Sequence, residues 1–561
     1  MQKIASSIDS LKDHYEVVVV GSGYGGGVAA ARLARLGREV CVLERGREIV
    51  PGEYPDTPVE FLKEVQTDTP LGRIGSALAL FDVRYNPNMN VVVGCGLGGT
   101  SLINAGICIA PDARVLQDAS WPAALRAEQW QHYFARAQQM LTPGCYPDSF
   151  PPVAKYAALQ AVAQRLNLAV EPAKIAVTFQ DGVTSGGVMQ RACIGCGDCV
   201  TGCNYHAKNT VLMNYLPDAV RHGATIFTQV KVLSVERAGE RWQLHCHAVQ
   251  MDAEGIATRT FSIAADVVVL AAGTLGSSEI LLRSAQRGLP LSTRVGQKFS
   301  GNGDMIGFAY NNDCEINGIG RGAAASTDAT PPGPCSNGVI RFTDANDVDQ
   351  EGVLEDGVVP SALAAFLPAL FAAGAKLTGV DTDAGIADKL HELARELRSN
   401  VLGPQQGAVH NTLFMVAAGH DAAAGTLYLE DDRLRVSWPD AGKQTQIERA
   451  HERMRAITQT LGGTYIKNPV WNALTHHSVI TGHPLGGCCM ADDARDGVVN
   501  HCGQVYLSTQ GDAVYPALLV MDGAVIPRSL GANPLMTIAA LAERNVELLA
   551  VQRGWAQGKS Q

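Results

Sequence analysis

The sequence has no concentrated run of lysine and arginine, and its formal charge is −10 over 561 residues. Neutralising a phosphate backbone needs a dense basic surface, so no nucleic-acid partner is expected. No N-terminal leader is expected either. Charged and polar residues persist up to Glu16 and run directly into VVVV, with no apolar core and no small-residue cleavage site, which leads to an expected cytoplasmic location. A long uninterrupted apolar run is missing as well. The best candidate, PSALAAFLPALFAAGAKLTG from Pro360 to Gly379, is broken by Pro368 and Gly374 and falls short of a membrane span. An ordinary buried helix is expected there, with a substrate-pocket helix or a peripheral membrane-touching lid as alternatives. There is no internal repeat and no low-complexity linker. What remains is 46% hydrophobic and 18% charged with 59 glycines, the make-up of a globular enzyme rich in tight turns, long enough for two or more domains.

The first motif is a nucleotide site. YEVVVVGSGYGGGVAAARLARLGREVCVLERG reads as a strand, a glycine turn, a helix and a second strand closing at Glu44. Gly21, Gly23 and Gly26 have G-x-G-x-x-G spacing. Gly21 permits the tight turn, Gly23 the approach of a pyrophosphate, and Gly26 close packing of the helix on the sheet, while the helix start presents free N–H groups to the phosphate. Glu44 stands where a carboxylate accepts hydrogen bonds from adenosine ribose hydroxyls. A second stretch, VVVGCGLGGTSLINAG, places Gly94, Gly96, Gly98 and Gly99 before Thr100, Ser101 and Asn104. Such a backbone can lie against a large flat cofactor and offer it N–H and hydroxyl donors; the alternative is a loop that merely turns tightly.

The C-terminal stretches HPLGGCCM, from His483, and LLVMDGAVIPRSLGANPLMTIAALAERNVELL, from Leu518 to Leu549, resemble the end of the glucose-methanol-choline family of FAD oxidoreductases, most of all its cholesterol oxidase branch. With the N-terminal fingerprint, the GCGLGGTSLINAG loop and VVVLAAGTLGSSEILLRS, the resemblance runs over nearly the whole chain. It implies an α/β fold class: a Rossmann-like FAD-binding domain (1–115, 205–305 and 480–561) interleaved with an α+β substrate domain on an antiparallel sheet (116–204 and 306–479). It implies FAD as cofactor. Asp522 and Gly523 would serve its ribityl and diphosphate region, and Val230 would hold the adenine end through backbone contacts. Asn533 and Pro534 read as the N-cap and first residue of a helix whose positive end would stabilise the negative charge of a reduced flavin.

The resemblance further implies the chemistry: an alcohol's carbinol hydrogen passes as hydride to flavin N5 while a polar pair takes up the hydroxyl proton. His483 matches the family histidine and Asn533 its asparagine partner; imidazole suits the task because its pKa lies near neutrality. His476 and His477 stand just upstream, as pocket residues or as histidines satisfied by the backbone. The cholesterol oxidase branch also carries a glutamate that moves a proton to isomerise a steroid double bond. No convincing equivalent is legible, and His420, beside Asp421, is the candidate substitute.

Four of the fourteen cysteines fall in CIGCGDCVTGC. Cys193, Cys196, Cys199 and Cys203 have the C-x2-C-x2-C-x3-C spacing of a bacterial ferredoxin loop, and a [4Fe–4S] cluster is the leading expectation. Asn204 stands where such loops carry proline, so the fourth ligand is open between Cys203 and a distant thiol, Cys145, Cys314 or Cys335. Disulfides or a thiol remnant, and zinc, are the other readings. The electron acceptor is a redox protein, a quinone or dioxygen: a cluster would make an exit for single electrons and favour a dehydrogenase, whereas without one the flavin would depend on dioxygen or a diffusible acceptor and look like an oxidase. The expected substrate is a small hydrophobic alcohol, a 3-hydroxysteroid in first place, ahead of a sugar or terpenoid alcohol. A non-catalytic flavoprotein is the competing class, against which the retention of both His483 and Asn533 speaks.

Overall fold

The computed structural model describes residues 1–252, 255–322, 330–382, 386–468, 471–472, 475 and 477–555. The elements that position the site are, in chain order, β1 (His14–Val20), α1 (Tyr24–Arg35), β2 (Val40–Leu43), β3 (Gly255–Leu270), α2 (Gly273–Gln286), β4 (Met305–Tyr310), β5 (Gly352–Gly357), α3 (Leu367–Thr378), α4 (Ile386–Leu402), β6 (Leu413–Gly419), β7 (Val514–Val520) and α5 (Leu535–Gln552).

Two large sheets share the work. The first is parallel at its centre: β1 lies between β2 and β3, with Val17 opposite Val40 and Val267, and β7 pairs with the far end of β3. Val17, Val18, Val19 and Val20 are all buried, the near-continuous apolar pattern of a strand covered on both faces. α1 and α5 pack together, and the buried Glu543 of α5 is satisfied there by Arg32, Arg136 and Tyr215. A buried carboxylate survives only with such partners.

The second sheet has seven strands, every adjacent pair antiparallel, with β5, β6 and β4 side by side near its middle. All its strands come from residues 170–172 and 305–467, whereas the first sheet draws on 14–43, 225–270 and 504–520. Alternation along β5 sends Glu355 and Asp356 to opposite faces. Asp356 meets the fully buried Lys155 at 2.6 Å and accepts from Ser336 and from the amides of Asn337 and Gly338.

A long helix, Thr445–Leu461, is closed by Gly462 in the left-handed conformation. The apolar stretch from Pro360 differs from an ordinary buried helix. It forms a short turn of helix and α3, which buries Leu367 and Phe371 but leaves Phe366 and Leu370 in solvent. Next to it α4 exposes Leu390, Leu393, Leu397 and Val401. Among the described residues no helix is long and apolar enough to cross a membrane.

Candidate active site

A cavity of about 400 Å³ runs between the two sheets. One end is made of backbone. Gly21 follows β1 with φ +96°, and an added Cβ there would stand 2.3 Å from the carbonyl oxygen of Ala271. Gly23 has open space where a side chain would go, so its backbone faces the cavity bare. Gly26 does not line the cavity; its missing Cβ lets α1 sit on the turn, 2.1 Å from the Gly21 oxygen. Glu44 ends β2, buried, and holds the turn by accepting from Ser22 N (3.2 Å), Ser22 Oγ (2.5 Å) and Gly46 N (2.7 Å). Gly94, Gly99, Thr100, Asn104 and Val230 line the same space, as do Asp522, Gly523 and Asn533. Asp522 accepts from Gly273 N, Ser277 Oγ and Ala524 N; burial lifts its carboxyl to about 6 against these bonds.

Sequence reasoning missed the charges at this end. Arg45, Asp82, Arg84, Lys231 and Glu279 line the cavity near Val230. Burial alone would raise Asp82, but Arg84 and Arg45 outweigh it and hold the carboxyl well below its usual range.

The other end is made of side chains. His483 follows the strand Val479–Thr481, and its Nδ1 lies 2.8 Å from Asp304 Oδ1, at the start of β4. Burial alone would depress the imidazole; the charge and hydrogen bond of Asp304, with the charge of Glu355, lift it above its ordinary value. Glu355, on β5 opposite Val416 of β6, reaches the cavity beside His483, and the Nδ2 of Asn533 stands 3.5 Å from its Oε2. Burial lifts Glu355 to about 7; the charges of Asp304 and Asp356 add to that, while His483 and Asn533 oppose it. This buried cavity glutamate was not singled out in the sequence. Its only signal is an acid pair inside the apolar run GVLEDGVV, and which of the two faces the cavity depends on strand register. Around these three groups the wall is apolar: Ile107, Val200, Cys335, Phe414 and Val416. Behind Phe414, Phe308 stacks at 5.2 Å and Phe371 of α3 follows at 4.9 Å.

The remaining candidates are placed as follows. Asn533 does not cap α5, whose N-cap is Pro534 and has no side-chain cap bond; its amide turns to Glu355 instead. The helix still opens onto the cavity through Pro534 and Leu535. His420 is buried against Ser529 and Gly531 and does not line the cavity, so it is no substitute for the glutamate. His477 lies edge-on to Trp471, also away from the cavity, and His476 is outside the described residues.

The cysteine expectation is corrected. Cys193, Cys196, Cys199 and Cys203 line one small space of about 10 Å³, room for about one water. All are free thiols, and among the described residues no three His, Cys, Asp or Glu side chains gather as a metal-binding group, so neither an iron–sulfur cluster, zinc nor a disulfide is supported. The glycines of the loop serve packing: a Cβ on Gly197 would strike Val358 and one on Gly202 the ring of Tyr54. The buried Lys208 pins the loop to the cofactor end by donating to Cys199 O (3.0 Å) and Leu102 O (3.1 Å).

The residues at the backbone end fit FAD. The glycine-lined walls exclude side chains, and one buried oxygen of a residue lining that end, Asn104 Oδ1, has no hydrogen-bond partner among the described residues. Unpaired buried acceptors are costly and point to a polar ligand.

Two family models described as GMC oxidoreductase match residues 15–300 and 428–542. A cholesterol oxidase of Mycobacterium tuberculosis is 28% identical over 96% of this chain and 91% of that protein. A long-chain-alcohol oxidase of Arabidopsis thaliana is 24% identical over 94% of this chain and 66% of that protein. Among solved structures, a pyridoxine 4-oxidase from Mesorbium loti matches with a TM-score of 0.59 at 17% identity, covering 95% of this chain and 99% of that one. A fungal aryl-alcohol oxidase matches with a TM-score of 0.60 at 15% identity, covering 97% and 100%. At such identities these structures show the fold alone.

Proposed function

Because the chain belongs to the GMC oxidoreductase family, whose members carry FAD, we propose that it oxidises a hydrophobic secondary alcohol, steroid-like or alicyclic, to the ketone. One observation carries the reading: His483, Asn533 and Glu355 are the polar groups that meet at the apolar end of the cavity.

The turn after β1, Glu44, the Gly94–Asn104 loop, Val230, Asp522 and Gly523 would hold the cofactor, with the positive end of α5 at its reacting ring. Bound there, FAD supplies the hydride acceptor. The protein handles the proton. In its neutral form His483 takes the hydroxyl proton at a ring nitrogen, and the amide of Asn533 orients that hydroxyl. Glu355, with a carboxyl near 7, is poised between its acid and its carboxylate at neutral pH and can give or take a proton within the site. That is the task required to isomerise the double bond of the 3-ketosteroid left by the oxidation, so both steps are assigned here. The walls of Ile107, Val200, Phe414 and Val416 favour an apolar substrate over a sugar or polyol.

For the acceptor, relatives named as oxidases support dioxygen. The test is anaerobic titration of the purified flavoprotein with a 3-hydroxysteroid, a long-chain alcohol and a polyol, followed by air. Bleaching of the visible flavin band by the steroid, and its return in air with hydrogen peroxide formed, is the expected result. Bleaching by the polyol alone would overturn the substrate class, and reduced flavin that persists in air would return the acceptor to a quinone or a redox protein.

A further inference from the structure

We propose that Asp304 is the positioning residue of the reaction: it fixes His483 with Nδ1 as the donor, so that Nε2 is left bare to accept the hydroxyl proton. The inference rests on the alcohol-oxidising reading for its purpose and on geometry for its content.

An ionised carboxylate can only accept hydrogen bonds. At 2.8 Å from Asp304 Oδ1, Nδ1 of His483 therefore carries the hydrogen, and the neutral ring has its lone pair on Nε2. The carboxylate has little freedom to do otherwise. Its second oxygen, Oδ2, accepts from Thr481 Oγ1 at 2.8 Å and from Gly482 N at 3.0 Å, the two residues that precede the histidine. Thr481 Oγ1 in turn accepts from the His483 amide at 2.9 Å. Asp304 itself closes a tight turn, its amide donating to Gly301 O at 3.1 Å. That turn is gripped by Asp421, which takes the amides of Gly301 and Gly303 and the hydroxyl of Ser300. One carboxylate thus ties the start of β4 to both the backbone and the ring of the histidine segment, and a second carboxylate braces it.

The charged groups that act on His483 are Asp304, from the start of β4, and Glu355, from β5; both carboxylates favour the protonated ring. The price is that the ring becomes a base only as pH rises through its elevated pKa, which makes it a stronger base once neutral.

Asp304→Asn separates positioning from mere support. The amide keeps the shape but has one acceptor and one donor. With its oxygen claimed by the Gly482 amide and Thr481, its NH2 faces Nδ1 and drives the hydrogen to Nε2, which then cannot accept a proton. In a catalytic triad the equivalent change costs about 10⁴ in kcat with geometry intact; here a loss on the order of 10² to 10⁴ in kcat is expected. FAD content and KM stay near wild type, and the acid limb of the pH profile moves to lower pH. The direct readout is the ¹⁵N spectrum of histidine-labelled holoprotein, with His483→Gln assigning the resonance. Above the acid limb, wild type shows a hydrogen on Nδ1 and a bare Nε2, and Asp304→Asn shows the reverse. A hydrogen on Nε2 in wild type would overturn the proposal, as would an Asn variant with unchanged kcat and pH profile. The wild-type spectrum decides the matter even if the variant does not fold. It also stands apart from the function: failure of every alcohol to bleach the flavin sinks the alcohol reading and leaves the tautomer to be read.

Discussion

At the cofactor end of the cavity much of the working surface is backbone, laid down by short glycine-rich turns such as Gly21 to Gly26, and the acid that holds this turn, Glu44, lies 22 residues from the serine it bonds. At the substrate end the working groups are side chains from separate segments, with Asp304 and His483 179 residues apart and Glu355 and Asn533 178 apart. The first end depends on local geometry that tolerates almost no added atom. The second depends on strand register and on charges that survive burial through one another. The two ends should therefore fail differently when altered.

The largest effect is expected from Gly25→Ala. Its Cβ would lie 1.6 Å from the carbonyl oxygen of Met521, between α1 and the strand end before Asp522, where neither backbone can give way. A loss of more than about 4 kcal/mol and no recoverable holoprotein are expected. Gly23→Ala, two residues earlier, meets no atom within 4 Å. It should fold with a melting temperature near wild type and yet fail to retain FAD, as read from the ratio of protein to flavin absorbance. If Gly23→Ala keeps its flavin, the bare-backbone account of this end is wrong.

At the substrate end His483→Ala should retain FAD and lose on the order of 10² to 10⁴ in kcat, the usual contribution of a positioned acid or base. Stopped-flow bleaching of the flavin measures this step without the reoxidation that follows. A variant that instead loses flavin would show that the two ends are not separable.

Glu355→Gln sharpens the comparison through pH. The folded carboxyl lies near 7, against 4.5 for an ordinary glutamate. A raised carboxyl means the native state holds its proton longer than the unfolded chain does. The stability this group contributes is therefore fully present below pH 4.5 and lost as pH rises to about 7. Glutamine has no such dependence. The variant should gain on wild type across that window, by up to about 3 kcal/mol at pH 8, while losing any isomerase activity. Thermal melts of both proteins at several pH values are the check; parallel curves would mean that Glu355 is ionised without penalty.

The same contrast explains what was legible in the sequence. The turn of Gly21, Gly23 and Gly26 was readable because a tight turn, a close approach and a helix contact each demand a residue type at a fixed spacing, whereas the bonds of Glu44 to Ser22 and Gly46 were not. Glu355 was not, since its partners are fixed by the pairing of β5 with β6, and no local pattern tells Glu355 from Asp356. Asp304 was hidden for the same reason. The cysteine loop shows the converse error: the spacing matches a metal loop, while its Gly197 and Gly202 are explained by Val358 and Tyr54 packed against them.

His420 gives the smallest effect and the cleanest check on that lesson. It was singled out by residue type in a loop, yet its ring is buried beside Ser529 and Gly531, and burial with the nearby Arg528 pushes its imidazole below the ordinary value. A histidine in that position fills space and satisfies a hydroxyl, and it has no line to the cavity. His420→Ala should cost about 1 to 2 kcal/mol of stability, the scale of a lost buried polar contact with a small cavity. It should leave kcat and KM within about twofold of wild type, the margin left when a change touches no reacting group. A fall in kcat comparable to that of His483→Ala, with FAD retained, would mean that the catalytic groups extend beyond the wall formed by Phe414 and Val416, and that the substrate end is larger than the cavity drawn here.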